Sequence, residues 1–228
     1  PTLTPWQKFK RAIFGKTSYN LFAKIHDESE RLINAMRQMI QKSSLITIPT
    51  TIFLIFAAKP LFLTLFGDKW LASVPYFQLI CIANLLNIVY LINNYALNSI
   101  GKSKLSLKVE VIKRCLILIS VLLCFSYGVM ELLIGYVIAC LLAWFTSLLQ
   151  VNKTIGLKIG DQLKDIVPTM IWSIIICYLG YLSGLLTDNL YYKLIIQSSV
   201  SFSLYIMVIT IFYRELWNYV MKFLKIKK

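Results

Sequence analysis

Six long apolar runs, separated by short polar loops, constrain this chain more than any other feature of its sequence. Each run has about 20 residues or more, the length that an α-helix needs to cross the hydrocarbon core of a bilayer. The hydrophobic fraction of 58% and the mean hydropathy of +0.69 exceed those of ordinary soluble domains. The sequence therefore predicts an all-α, polytopic membrane protein with six transmembrane helices, at 44–66, 74–100, 106–128, 131–151, 166–186 and 191–213.

The basic residues alternate between abundant and scarce from one loop to the next. Eight precede the first run, five lie around the second loop, three lie in the fourth and five follow the last run, so that 21 of the 24 Lys and Arg residues fall on one side. Because Lys and Arg accumulate in cytoplasmic loops, we expect both termini to be cytoplasmic. The predicted organisation is a basic cytoplasmic segment at 1–43, a six-helix transmembrane domain at 44–213 and a basic cytoplasmic tail at 214–228.

The segment before the first run has a helical pattern of its own. Asp27 and Glu30 stand at capping-box spacing. Apolar residues then recur at helical spacing: Leu32, Ile33, Met36, Met39 and Ile40. Polar residues fill the rest of the helical wheel. This pattern predicts an interfacial helix at the inner membrane surface that leads into the first span.

The net charge of +14 does not indicate a nucleic-acid-binding protein. The basic residues lie at the ends of apolar runs, where anionic headgroups attract each of them by about 1 kcal/mol. No polar stretch is long enough to form a soluble basic domain. We therefore expect membrane lipids, and no nucleic acid, among the partners.

The chain lacks the residue sets on which membrane enzymes depend. Its one histidine, His26, precedes the first run, and the sequence has neither an HExxH zinc motif nor a Walker A motif. No Asp or Glu stands at the centre of a run, which argues against a carboxylate proton relay. We therefore expect no catalytic residue, no metal and no cofactor, and we expect that the protein is not an enzyme.

The second run carries a row of amides. Asn84, Asn87, Asn94 and Asn98 fall within a sector about 80° wide if one continuous helix turns by about 100° per residue, with Tyr95 close to the same face. Such a row should not face lipid, where unsatisfied polar groups cost several kcal/mol. Two interpretations remain open: interhelical hydrogen bonds worth about 0.6–2 kcal/mol each, or the wall of a cavity that meets a sugar or a headgroup.

The third run begins with a cluster of charges. Glu110 and Arg114 have the i,i+4 spacing of a helical ion pair, and we expect the helix to reach back to about Leu105, which would place these charges at the inner membrane boundary. The cations can snorkel to headgroups. Alternatively, Lys113 and Arg114, with Lys102, contact a phosphate or pyrophosphate that enters from the inner leaflet.

Five short stretches occur in an order that resembles the C-terminal half of bacterial polysaccharide-biosynthesis flippases, the Wzx-like branch of the MATE-like superfamily. They are Leu21–Leu32, Leu65–Trp70, Val74–Leu79, Ala96–Ser103 and Gly135–Ala139. The resemblance covers about residues 20–220. It implies a multi-pass protein of the bacterial inner membrane that translocates an undecaprenyl-pyrophosphate-linked oligosaccharide for surface polysaccharide assembly.

Such flippases have about twice as many spans, arranged in two lobes around a cavity. The resemblance therefore implies a fragment, a split gene product or a degenerate copy, and a partner in the form of a missing N-terminal lobe or another membrane subunit. Two other functions remain open: a fragment of a MATE-like drug or lipid exporter, and a non-transporting structural membrane subunit.

Overall fold

The computed structural model describes residues 22, 29–187 and 189–212, and these residues are all-helical, as predicted. Expectations that fall on 1–21, 23–28 and 213–228, including the Asp27 cap, His26 and the basic tail, lie outside the described residues. A short 3₁₀ helix at Asp68–Ser73 accompanies seven α-helices: α1 (Ser29–Phe66), α2 (Val74–Asn84), α3 (Asn87–Ser99), α4 (Ser103–Cys124), α5 (Val129–Ile155), α6 (Ile159–Gly184) and α7 (Leu190–Phe212).

Helix α1 joins the predicted interfacial segment and the first predicted span without a break. It has 38 residues and contains Pro49 and Pro60, which gives it a length of about 57 Å at 1.5 Å per residue. On the apolar stripe predicted from the sequence, Leu32, Met36 and Ile40 are buried in the protein. The helix ends at Phe66 because Gly67 takes a φ of 78°, a left-handed conformation that glycine adopts readily at the end of a helix.

The second predicted span is interrupted in its middle. Leu85 and Leu86 form a turn between α2 and α3, and Leu86 leaves helical geometry with φ −101° and ψ 7°. Neither Gly nor Pro marks this break. Asn84 and Asn87 flank it, and asparagine side chains compete with the helical backbone for hydrogen bonds. The predicted face of four asparagines is therefore divided between two helices.

Five helical segments are long and apolar enough to cross a membrane among the described residues: Glu30–Phe66, Asp68–Ser99, Val129–Ile155, Ile159–Gly184 and Leu190–Ile211. Helix α4 forms at the third of the six predicted spans, 106–128, but does not meet this standard. Its first half carries five charges, at Lys104, Lys108, Glu110, Lys113 and Arg114. The uncharged remainder, Cys115–Cys124, has about half the length that a spanning helix requires.

The chain divides into two compact units, of which the first contains 1–44 and 83–167. In this unit α3, α4 and α5 pack against one another, and Tyr90, Val109 and Ala143 form a small core that Trp144 covers. Arg37 of α1 also makes a bidentate ion pair with Asp165, with both N···O distances at 2.9 Å. Gln41 donates a further hydrogen bond to the same carboxylate.

The second unit contains 45–82 and 168–228. Within it the ring of Phe56 lies 6.3 Å from that of Tyr178, between centroids, and Gln78 Nε2 donates to the carbonyl of Ile55 at 2.9 Å. Helices α6 and α7 approach closely at Gly180, where a β-carbon would stand 2.0 Å from Ser201 Oγ. Close approach at small residues is typical of helix packing in membranes.

Candidate functional site: a polar pocket at the interrupted span

A pocket in the first unit opens at the break between α2 and α3. Its empty volume is about 330 Å³, part of which is open to the surroundings. The lining comes from the two helix ends, from α4 and from α5: Ala83, Asn84, Leu86, Asn87, Tyr90, Lys113, Tyr136, Cys140, Leu141 and Trp144. A helix that is interrupted within a membrane exposes backbone ends, and such interruptions often line binding cavities. The pocket is therefore the candidate functional site of this unit.

The charges of α4 lie within the body of the helix and not at its end. The helix begins at Ser103, so Lys113 stands about 15 Å along it at 1.5 Å per residue. The helix thus begins close to the predicted start near Leu105, and the position of these charges at the inner membrane boundary stays a prediction. Ionisable groups at such positions face the protein interior or a polar cavity, and they are functional candidates by default.

The carboxylate of Glu110 is bound by two side chains, one on α3 and one on α4. Tyr90 Oη of α3 donates a hydrogen bond to Glu110 Oε2 at 2.6 Å. Arg114 pairs with Glu110 Oε1 through Nη2 at 2.8 Å and through Nε at 3.0 Å, which confirms the predicted i,i+4 ion pair. The carboxylate therefore holds a hydroxyl and a guanidinium at the same time, and it links α3 to α4.

Two hydrogen-bond donors that line the pocket have no carboxylate partner among the described residues. Lys113 Nζ lies 4.1 Å from the centroid of the Tyr90 ring, a cation–π contact, and it makes no salt bridge within the part of the chain that the structure describes. Trp144 Nε1 is buried and has no hydrogen-bond partner among the residues that the structure describes. A buried donor without an acceptor costs about 1–3 kcal/mol, so the Trp144 indole favours an acceptor in the pocket. The half-buried ammonium of Lys113 lines the same pocket and can reach that acceptor as well.

The structure separates the predicted asparagine row into two sets. Asn84 and Asn87 line the pocket. Asn94 is buried away from it, where its Nδ2 donates to the carbonyl of Tyr90 at 3.0 Å and its Oδ1 accepts from Ser106 at 3.2 Å. The lining does not include Asn98, Tyr95, Lys102 or Arg114. Asn94 therefore matches the packing interpretation, and Asn84 and Asn87 match the cavity interpretation. The roles of Asn98 and Tyr95 stay predictions.

Sequence reasoning missed the aromatic part of the pocket. Tyr136, Cys140 and Trp144 follow one another at i,i+4 spacing on α5, so a count along one helical face could have grouped them. Tyr90 was missed because an aromatic residue in an apolar run is most often simply part of the core. In the described residues, no group of three or more His, Cys, Asp and Glu side chains could hold a metal ion.

An all-helical chain with five apolar helices of spanning length is a multi-pass membrane protein. A family model described as "Polysaccharide biosynthesis protein" matches residues 3–75. An uncharacterized membrane protein in the cps region of Klebsiella pneumoniae is 31% identical over 101 residues, which amount to 44% of this chain and 21% of that protein. The predicted resemblance to Wzx-like and MATE-like polysaccharide flippases is confirmed.

The fold is also similar to that of a solved transporter. The lipid II flippase MurJ, in its inward closed conformation, matches 92% of this chain with a TM-score of 0.69 and 20% sequence identity. The match covers 46% of the MurJ chain. This chain therefore spans about half the length of the flippase whose fold it shares, and about a fifth of the Klebsiella protein aligns with it.

Proposed function

We propose that this chain takes part in the translocation of a lipid-linked oligosaccharide, of the undecaprenyl-pyrophosphate type, across the bacterial inner membrane for surface polysaccharide assembly. The observation that carries the proposal is the pocket at the α2–α3 break, which combines amides, aromatic side chains and a lysine from neighbouring helices. Amides and aromatic faces suit a sugar, and cations suit a pyrophosphate.

The chain acts in this proposal as one lobe of a transporter. It matches 46% of the MurJ chain, and a cavity between two lobes needs a second one. That lobe belongs either to a longer protein that includes this sequence or to a separate membrane subunit. The distribution of Lys and Arg supports an orientation with both ends of this chain in the cytoplasm, so that the basic loops face the leaflet from which the substrate enters.

The test is a deletion of the coding sequence in the strain that encodes it. Surface polysaccharide should fall, and undecaprenyl-pyrophosphate-linked oligosaccharide should accumulate in the inner membrane. The natural coding sequence should restore both, and the Lys113→Gln variant should not. Lys153→Gln, at the exposed end of α5, is the matched control and should restore both.

Two results would contradict the proposal. Normal surface polysaccharide and normal lipid-linked intermediates in the deletion strain would exclude a role in this pathway. If that strain instead became sensitive to cationic drugs, a drug exporter would be the better assignment.

A further inference from the structure

We propose that Lys113, Arg114, the Tyr90 hydroxyl and the Trp144 indole N–H form a phosphate-ester site, and that the Glu110 carboxylate occupies part of it until the ligand replaces it. The inference rests on the proposed function for the identity of the ligand, but the site is defined by the structure of the first unit alone. Glu110 is thus an internal competitor for the ligand and not one of its contacts.

The four donors are of two kinds. Tyr90, which lines the pocket, and Arg114, which lies outside the lining, are both engaged by Glu110, at 2.6 Å from the hydroxyl and 2.8 Å from the guanidinium. Lys113 and Trp144 line the pocket. Within the described part of the chain, Lys113 makes no salt bridge and Trp144 Nε1 has no acceptor. Carboxylate and phosphate oxygens accept hydrogen bonds from the same groups. Half of the site is therefore occupied by a carboxylate of the chain itself, and the other half is open to a ligand.

The local charge favours an exchange. Lys113 and Arg114 bring two positive charges and Glu110 one negative charge, which leaves the cluster positive by one. A phosphate ester with two negative charges beside Lys113 would make the cluster negative and would repel Glu110 from Tyr90 and Arg114. A neutral lipid brings no such repulsion, and a headgroup with one negative charge brings less of it. The exchange therefore discriminates by ligand charge.

Glu110 is free to leave its partners without disrupting the core. Its side chain is 39% exposed and that of Arg114 is 73% exposed, so a change of rotamer moves the carboxylate without opening buried packing. Tyr90 is 3% exposed, and its hydroxyl stays in place to meet the replacing oxygen. The moving part is thus one side chain on a fixed scaffold.

The test measures binding to the purified chain in nanodiscs of phosphatidylcholine by isothermal titration calorimetry. Farnesyl pyrophosphate is the lipid pyrophosphate probe, inorganic pyrophosphate is the soluble one, and nanodiscs with added phosphatidylglycerol test a singly charged headgroup. We expect farnesyl pyrophosphate to bind, inorganic pyrophosphate to compete with it, and phosphatidylglycerol to compete much less.

The decisive variant is Glu110→Gln, which keeps the shape of the side chain and an acceptor for Tyr90 but removes the competing charge. It should bind farnesyl pyrophosphate about tenfold more tightly, since about one charge-assisted hydrogen bond no longer has to be replaced. Glu131→Gln, the same change at the exposed start of α5, is the matched control and should leave the affinity unchanged. Trp144→Phe should weaken the binding of farnesyl pyrophosphate, because it removes the indole N–H donor.

Glu110→Asp is the second variant, for use if Glu110→Gln does not fold. Its shorter side chain cannot hold Tyr90 and Arg114 together, so it should also bind more tightly than the natural chain. Unchanged or weaker binding by the folded variants would overturn the inference and assign Glu110 a positioning role.

The two proposals fail separately. If the natural chain restores polysaccharide but does not bind farnesyl pyrophosphate, the site is wrong and the function stands. If binding and the Glu110→Gln effect are present but the deletion strain has normal polysaccharide, the function is wrong and the site stands.

Discussion

Replacing Arg37 with leucine should destabilise the protein more than the same replacement of its partner, Asp165. The side chain of Asp165 is 2% exposed, whereas that of Arg37 is 35% exposed. Without Arg37, the carboxylate stays buried with Gln41 as its one remaining hydrogen-bond donor among the contacts described above. Breaking a buried ion pair in this way costs about 3–5 kcal/mol.

The Asp165→Leu variant leaves the guanidinium where water reaches it. Its cost is therefore closer to that of the lost charge-assisted hydrogen bonds, about 2 kcal/mol. The double variant replaces the ion pair by two apolar side chains, which is often nearly neutral. We expect its destabilisation to be smaller than the sum of the two single effects by about 1–3 kcal/mol.

The assay is reversible unfolding of the purified protein in mixed micelles by increasing the fraction of sodium dodecyl sulfate, followed by circular dichroism. Arg114→Leu removes an exposed i,i+4 pair and is the control, with an expected cost within about 1 kcal/mol. Equal effects of the two single leucine variants, or strictly additive ones, would refute the reasoning from unequal burial.

Three further predictions follow from the packing and the pocket. Gly180→Ala places a methyl group 2.0 Å from Ser201 Oγ, so it should destabilise the protein by about 1–3 kcal/mol in the same unfolding assay. Ser201→Ala should rescue part of this loss. An unchanged stability of Gly180→Ala would mean that α6 and α7 are not in close contact there. Asn94→Leu should lower stability by about 1–2 kcal/mol because it removes buried hydrogen bonds. Asn87→Leu, at the pocket, should instead leave the unfolding midpoint near that of the natural chain and should reduce polysaccharide in the complementation assay. If Asn87→Leu lowered stability and Asn94→Leu reduced polysaccharide, the assigned roles of the two asparagines would be exchanged.

The helical architecture could be predicted because long apolar runs allow few alternatives in a membrane. The end of α1 at Gly67 and the Glu110–Arg114 pair were also predictable, since each depends on local geometry and spacing. The break at Leu85 and Leu86 was not, because no Gly or Pro marks it and both leucines continue the apolar run. That break decides which asparagines reach the pocket.

The pocket was predicted in part. Asn84, Asn87 and Lys113 were identified because polar residues in apolar runs are conspicuous. Tyr90 and Trp144 were not, since hydropathy does not distinguish an aromatic residue at a pocket from one in a core. Spacing alone also does not show which of several amides on one helical face meets a neighbouring helix, so the packing role of Asn94 needed the structure.

The charges of α4 also have a consequence for the biogenesis of the chain. A helix that carries five charged residues before an uncharged stretch of ten, Cys115–Cys124, is poorly recognised as a span by the insertion machinery, because each charge near a helix centre costs about 2.5–3.5 kcal/mol on insertion. Helix α5 is the most apolar of the candidate spans. The packing between α4 and α5 is more extensive than the packing between α4 and α3. We therefore expect stable insertion of α4 to require α5, and a nascent chain that stops at Cys124 should leave α4 accessible to a water-soluble thiol reagent at Cys115.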